Sequence, residues 1–560
     1  MAELLSLPDE LLLAIANEMQ GDIRNAYRSL RSLALSCRRL RPIAQEVLYM
    51  DVAICRTQSL RGPNSLTCLV QTLVQRPGLA VKVNKLNLRI IGNPIMHSKD
   101  CLELMYTEYE GCTCGFKPVL SLCIETIGNI RANNGSRLYN HDWASNIQAG
   151  LQLAMVGLIL CLTPHLESLT LDYRKQKMES SGFYTKPIAF EHFSLDDLFG
   201  SVTQSPAFSI EHIKGFAKLT RLITNTCPPS KLISLPQLKG LEIGLLNDHW
   251  NQDRGLRPLL STGTALSMTM THLTVRLDKL ALYSDRAILV RGVYRRLNDI
   301  IKNLTVLEYL FLQFGSEWGK RFDPRQGDLS EASFEYVTSE IESLSLTHLA
   351  LDVEDVGKAW FYESGETPFE VIRPMTSLRR LPKLRSITAP EEAFFFPGGF
   401  ETCVIPSTIE SIGIISATYG TYQFIRYILS DQGQWPSLTS IKLETGQDNP
   451  GLYNNIHPQM YDEDDVSEAF YYLCGCKGEC RCKYDSDHEC ECECEYHCEV
   501  DCESEEGCDH CYRIHAWYCD NTRWREFFKQ DRAIFLGSKN IDVCIEIVQE
   551  KLAWREEWTG

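Results

Sequence analysis

A short alternating run, leucine-x-leucine, returns through most of this chain and limits what it can fold into. It reads Lys85-Leu86-Asn87-Leu88-Arg89, then Leu166-Glu167-Ser168-Leu169-Thr170-Leu171, then Leu238-Lys239-Gly240-Leu241-Glu242-Ile243 and His272-Leu273-Thr274-Val275-Arg276. Later copies are Leu307 to Leu312, His348 to Leu351, Leu381 to Ile387, Ile409 to Ile414 and Leu438 to Leu443. Alternation with period two predicts a strand with one buried face. Successive marker positions fall at 241, 273, 310, 349, 387, 412 and 441, so the spacings run 32, 37, 39, 38, 25 and 29. Such intervals fit one strand and one returning helix per unit, stacked side by side. Helices are predicted between the strands, as over 287–303 and 334–343.

This arrangement resembles a degenerate leucine-rich-repeat solenoid, with irregular periods and without the usual asparagine positions. An ordinary α/β domain with several parallel strands reads similarly, and both stay open. In either case the leucines point inward and the residues between them face out. Asn87, Arg89, Arg276, Phe311, Asp352 and Lys442 are the candidate contacts for a protein target. The fold class predicted is α/β, with the solenoid over 56–445.

Ahead of it, the first 55 residues carry a different period. Leu11, Leu12, Ile15 and Met19 recur at helical spacing, as do Leu30, Leu33, Cys37 and Leu40, and Pro42 can open a third helix with Ile43 and Val47. Ser6 with Asp9 three residues on is placed as a capping box, and Pro8 suits a first turn. Three helices this short bury little alone. The run Leu7-Pro8-Asp9-Glu10-Leu11-Leu12 followed by Leu33-Ala34-Leu35-Ser36-Cys37-Arg38-Arg39-Leu40 is similar to the F-box, although many F-boxes carry an aromatic residue where Leu40 stands. The resemblance implies docking on the Skp adaptor of cullin-based ubiquitin ligases, and through it on cullin. It implies that Leu7, Pro8, Leu11, Leu12, Ile15, Leu33, Leu35 and Leu40 fill the adaptor's pockets.

The net charge of −17 is concentrated in one place. From Asp462 to Cys511 there are 18 Asp and Glu against 3 Lys and Arg. No basic patch with interleaved aromatics is present, so nucleic acid is not an expected partner. The longest apolar stretch, Leu153 to Leu162, is too short for a bilayer and reads as a buried helix, so no membrane is expected either. The start of the chain has no signal-peptide pattern, which points to a reducing cytoplasmic or nuclear setting with free thiols.

The acidic segment, within 446–512, also holds 11 of the 23 cysteines. Cys474, Cys476, Cys480, Cys482, Cys490, Cys492, Cys494, Cys498, Cys508 and Cys511 are the candidate ligands, for zinc or copper if for any ion. Repeated Cys-x-Cys resembles metallothionein-like clusters, and only Cys508 and Cys511 have the spacing of a zinc knuckle. Alternation of Glu with Cys at this charge density cannot bury a core, so a solvated, metal-free segment is the competing expectation. Residues 513–560 are predicted to form a helical cap, with a helix over 541–554. No Walker A loop, G-x-S-x-G elbow or H-E-x-x-H helix occurs, and no catalytic residue or cofactor is assigned. The expectation is a substrate-recognition adaptor of a ubiquitin ligase; the alternative is a metal-binding protein working through the cysteine segment.

Overall fold

The computed structural model describes residues 6–19, 23–54, 65–91, 121–129, 141–148, 151–174, 194–200, 203, 209–226, 228–245, 269–278, 282, 287–315, 332–353, 372–375, 378, 380–395, 405–415, 421, 424–425, 427–428, 434–446 and 542–548. The candidate metal ligands between Cys474 and Cys511 lie outside these residues.

Three helices open the chain: α1 (Asp9–Glu18), α2 (Ile23–Ser36) and α3 (Leu40–Met50). Strand β1 (Asp51–Ile54) follows directly, then α4 (Ser65–Gln75). The strands continue as β2 (Lys85–Ile91), β3 (Ser168–Arg174), β4 (Arg221–Thr224), β5 (Gly240–Leu245), β6 (His272–Asp278) and β7 (Tyr309–Gly315). After these come β8 (Ala332–Ser333), β9 (His348–Val353), β10 (Ile372–Arg373), β11 (Ser386–Pro390), β12 (Ser411–Ile415), β13 (Ser440–Gly446) and β14 (Asp542–Val548). All nine strands read from the leucine pattern are present. The helix expected over 287–303 is Ala287–Asn303, and the one expected over 334–343 is the shorter Glu335–Glu340.

The chain divides into two units, Met1–Asp278 with Asp299–Leu310, and Lys279–Asn298 with Phe311–Gly560. In the first, β1 to β6 lie in chain order and every neighbouring pair is parallel. In the second, β9, β11, β12, β13 and β14 are likewise parallel neighbours, and β8 pairs with β10 in a separate ribbon. Parallel neighbours need crossovers, and this explains why long stretches of chain separate paired strands.

A backbone device repeats at the entry to the strands. The carbonyl one residue ahead of a strand accepts two consecutive N–H groups from the next strand's entry. Asn84 O accepts from Glu167 and Ser168, Glu167 O from Thr220 and Arg221, Thr220 O from Lys239 and Gly240, and Lys239 O from Thr271 and His272. The second unit repeats it at Thr347, Arg385 and Glu410. Register is therefore fixed at the strand starts, where Leu86, Leu169, Leu222, Leu241 and Leu273 align and are buried.

The core of the first unit is built on the helix Gln152–Leu162, in which every residue from Gln152 to Cys161 is buried, as its apolar run predicts. Gly157 lets the segment Leu195–Phe199 approach, since a Cβ there would lie 2.0 Å from the carbonyl oxygen of Leu198. On the other side Gly215 meets the Leu160 carbonyl, and its Cβ would lie 2.4 Å away. Buried Trp143 donates its indole N–H to Ala154 O at 3.1 Å and packs edge-on to Phe199. Burial pushes the Cys161 thiol up to about 12 against the opposing charge of Lys214, and pushes Cys123 up to about 12 as well. Both are packing thiols.

Two expectations are corrected. Residues 542–548 form a strand and not part of a helical cap: β14 pairs in parallel with β13 from Asp542 opposite Ser440 to Val548 opposite Gly446. Val543, Ile545 and Ile547 alternate with Asp542, Cys544 and Glu546, and β-branched residues at period two favour the pleated conformation. Nor are all the residues between the inward leucines open to a partner, for Thr170, Asp172, Ala350 and Asp352 are buried.

Gly157→Ala is expected to lower unfolding free energy by about 1–3 kcal/mol, the usual cost of overpacking. Gly78→Ala, where nothing lies within 4 Å of the added carbon, should change it little. Urea titrations of the two variants check this.

Candidate functional site

The N-terminal helices close a core of their own. Leu12 and Ala16 of α1, Leu30 of α2, and Leu40, Ile43 and Val47 of α3 form one buried cluster, with Leu7, Leu13, Met19, Leu33, Cys37 and Leu48 packed around it. The start of α1 is held without the capping box expected from Ser6 and Asp9. Pro8 is the N-cap, no side chain caps the helix, and Asp9 instead accepts from the Arg39 guanidinium at 2.8 Å. Arg39 also donates to the Leu7 carbonyl at 2.7 Å and so ties the Leu7-Pro8 turn to the start of α3. Asp9 and Glu10 sit in the first turn of α1, where the helix dipole favours negative charge.

Polar contacts join the module to the chain that follows it. Tyr27 donates its hydroxyl to the Asp51 carbonyl at 2.7 Å and accepts from Ala53 N at 2.9 Å, bridging α2 to β1. Lys82 pairs with Glu46 of α3, Arg76 reaches Gln45 at 3.3 Å, and Asn84 N donates to Met50 O at 3.0 Å. The module is thus anchored by α3 and Tyr27.

Part of what remains open is apolar. Leu35 is 70% exposed, Leu11 51% and Ile15 42%, and Pro8 is exposed beside them in sequence. These are four of the eight residues that the F-box resemblance places against an adaptor. Leu7 and Leu33 are half-buried against the module's own core. Leu12 and Leu40, at 2% and 3% exposure, belong to that core. They are corrected from contact residues to packing residues, because a side chain spent on joining three helices has no face left for a visitor.

The six candidate target contacts fall three to each unit. In the first, Asn87 is exposed on β2, and Arg89 and Arg276 are half-buried in ion pairs. Arg89 Nε donates to Asp172 at 2.9 Å, and the other oxygen of Asp172 accepts from Asn225 at 2.7 Å. Asn225 also donates to Tyr173 O and accepts from Tyr173 N, both at 2.9 Å, so it clamps the ends of β3 and β4 together. Arg276 pairs with Glu242, which also lies 3.8 Å from Arg221. His272 stacks on Tyr309, with ring centroids 5.5 Å apart. In the second unit Phe311 and Lys442 are half-buried and Asp352 is buried. Asn225, Arg221 and Tyr27 are missing from the sequence-based candidates. The run Leu219-Thr220-Arg221-Leu222-Ile223-Thr224-Asn225 has the strand pattern that would have found the first two.

Among the described residues no group of three or more His, Cys, Asp or Glu side chains could hold a metal ion. No described helix is long and apolar enough to cross a membrane. Neither the family models nor the curated proteins contain a match to this chain.

Leu12→Ala is expected to cost about 2–5 kcal/mol, as truncation in a closed core does. Leu35→Ala, at the open face, should stay within about 0.5 kcal/mol of the parent chain. Chemical denaturation of the two variants separates packing residue from surface residue.

Proposed function

We propose that this protein is an F-box substrate receptor that does no chemistry of its own. Its N-terminal helices dock on a Skp-family adaptor through Pro8, Leu11, Ile15 and Leu35, and its leucine-rich-repeat-like strand array holds a protein target. The observation that carries this reading is an apolar face left open on a module whose own core is already closed. An exposed leucine alone means little, but three large apolar side chains left exposed on two short helices of one closed module support the docking reading. Burying each is worth about 1.5–3 kcal/mol before ordering costs, so few are needed for a stable joint.

The parallel array supports the second half. Its strands present a polar face on which Asn87, Arg89, Arg221, Glu242 and Arg276 occur in the first unit, and charge-bearing groups on a rigid sheet select partners by complementarity. Function is then proximity: a target held near a ubiquitin-charged enzyme reacts at raised effective concentration. The setting is the cytoplasm or nucleus, where the scattered thiols stay reduced.

The test is co-purification with the Skp adaptor from the same organism. Leu11→Asp, Ile15→Asp and Leu35→Asp together should abolish it while thermal unfolding of the receptor stays unchanged. Full binding by that triple variant would rule out the proposed face. Leu12 is left intact, because its loss would unfold the module and mimic lost docking.

A further inference from the structure

The exposed side of α2 carries more than Leu35. Arg28, Arg31 and Leu35 are separated by three and four residues, which places them on one stripe of the helix, and Arg38 follows in the turn after it. All four are exposed. Among the described residues Arg28, Arg31 and Arg38 form no ion pair, whereas their neighbour Arg39 is committed to Asp9. Three guanidinium groups with no carboxylate partner among the described residues thus flank a 70% exposed leucine.

We propose that the adaptor's docking site is an apolar pocket rimmed by carboxylates, and that Arg28, Arg31 and Arg38 steer it onto Leu35. This rests on the adaptor-docking reading above and adds the chemistry of the partner's surface. The role of the arginines follows from where they sit. Charges at the rim of an apolar joint stay hydrated in the complex, so they change how fast the partners meet more than how long they stay. A local positive stripe also sets one approach direction in which an acidic partner is attracted. An anionic membrane fits the stripe less well, since Leu11, Ile15 and Leu35 offer little to insert.

The experiment measures association and dissociation rates of the full chain with the Skp adaptor at low and high salt. The parent is compared with Arg28→Glu/Arg31→Glu/Arg38→Glu and with Arg28→Lys/Arg31→Lys/Arg38→Lys. At about 50 mM salt, where the Debye length still spans the interface rim, the Glu variant should associate about tenfold or more slowly. Its dissociation rate should stay within about twofold of the parent's, and its association rate should no longer fall as salt rises. The Lys variant should keep the parent's rate and salt dependence. A Glu variant with parental association kinetics overturns the acidic rim and leaves adaptor docking standing. A parent chain that does not bind the adaptor at all overturns both. Arginine-dependent capture on phosphatidylserine vesicles, with no arginine dependence toward the adaptor, assigns the stripe to a membrane and also overturns the proposal.

Discussion

Leu12, Ala16, Leu30, Leu40, Ile43 and Val47 meet in one cluster, and the outward direction of Leu11, Ile15 and Leu35 follows from it. On a helix the residues three and four apart share a face, so turning Leu12 and Ala16 inward turns Leu11 and Ile15 outward. The same cluster, through Leu30 on α2, leaves Leu35 to solvent. Had the module lacked a core of its own, those leucines would have been needed to complete it. Short chains do usually need help, and here polar help is given: Tyr27 fastens the module to β1, and Glu46 and Gln45 fasten it to Lys82 and Arg76 ahead of β2.

The strand array meets a different demand. Its connecting segments vary in length, yet the strands stay in register because alignment is enforced at one end only. A carbonyl just ahead of a strand takes two N–H groups from the entry of the next, and a buried leucine or isoleucine follows. Everything downstream of that clamp can vary. The first unit uses the freedom to seat Asp172 between Arg89 and Asn225 at the far ends of its strands. A carboxylate buried this way is held by two donors, and the arginine above it is held in turn, which gives the outward face a fixed pattern of charge.

Much of this was legible in the residues and some of it was not. The nine leucine-rich runs read as strands because alternation and β-branched content agreed, and Leu153 to Leu162 read as a buried helix because it lacks a polar face. Strand β4 escaped because it follows β3 at a long interval and precedes β5 at a short one, which breaks the count of periods. Strand β14 was mistaken because Val543 and Ile547 satisfy a helical spacing while Val543, Ile545 and Ile547 satisfy an alternating one; only the pairing with β13 arbitrates. In the module, periodicity located the apolar residues, but it could not divide them between core and surface. That division depends on the angles at which α1, α2 and α3 cross, which no single helix encodes. The Arg39 to Asp9 pair was hidden for the same reason: its partners are distant in sequence, and a capping box for Asp9 looked sufficient locally.

The most direct measurement is amide hydrogen exchange on the full chain, alone and with the Skp adaptor bound. New protection confined to peptides covering 9–18 and 28–38, with the strand array unchanged, is the predicted result. Unchanged exchange in those peptides, or protection that appears only over the strands, would contradict docking through the open face of the N-terminal helices.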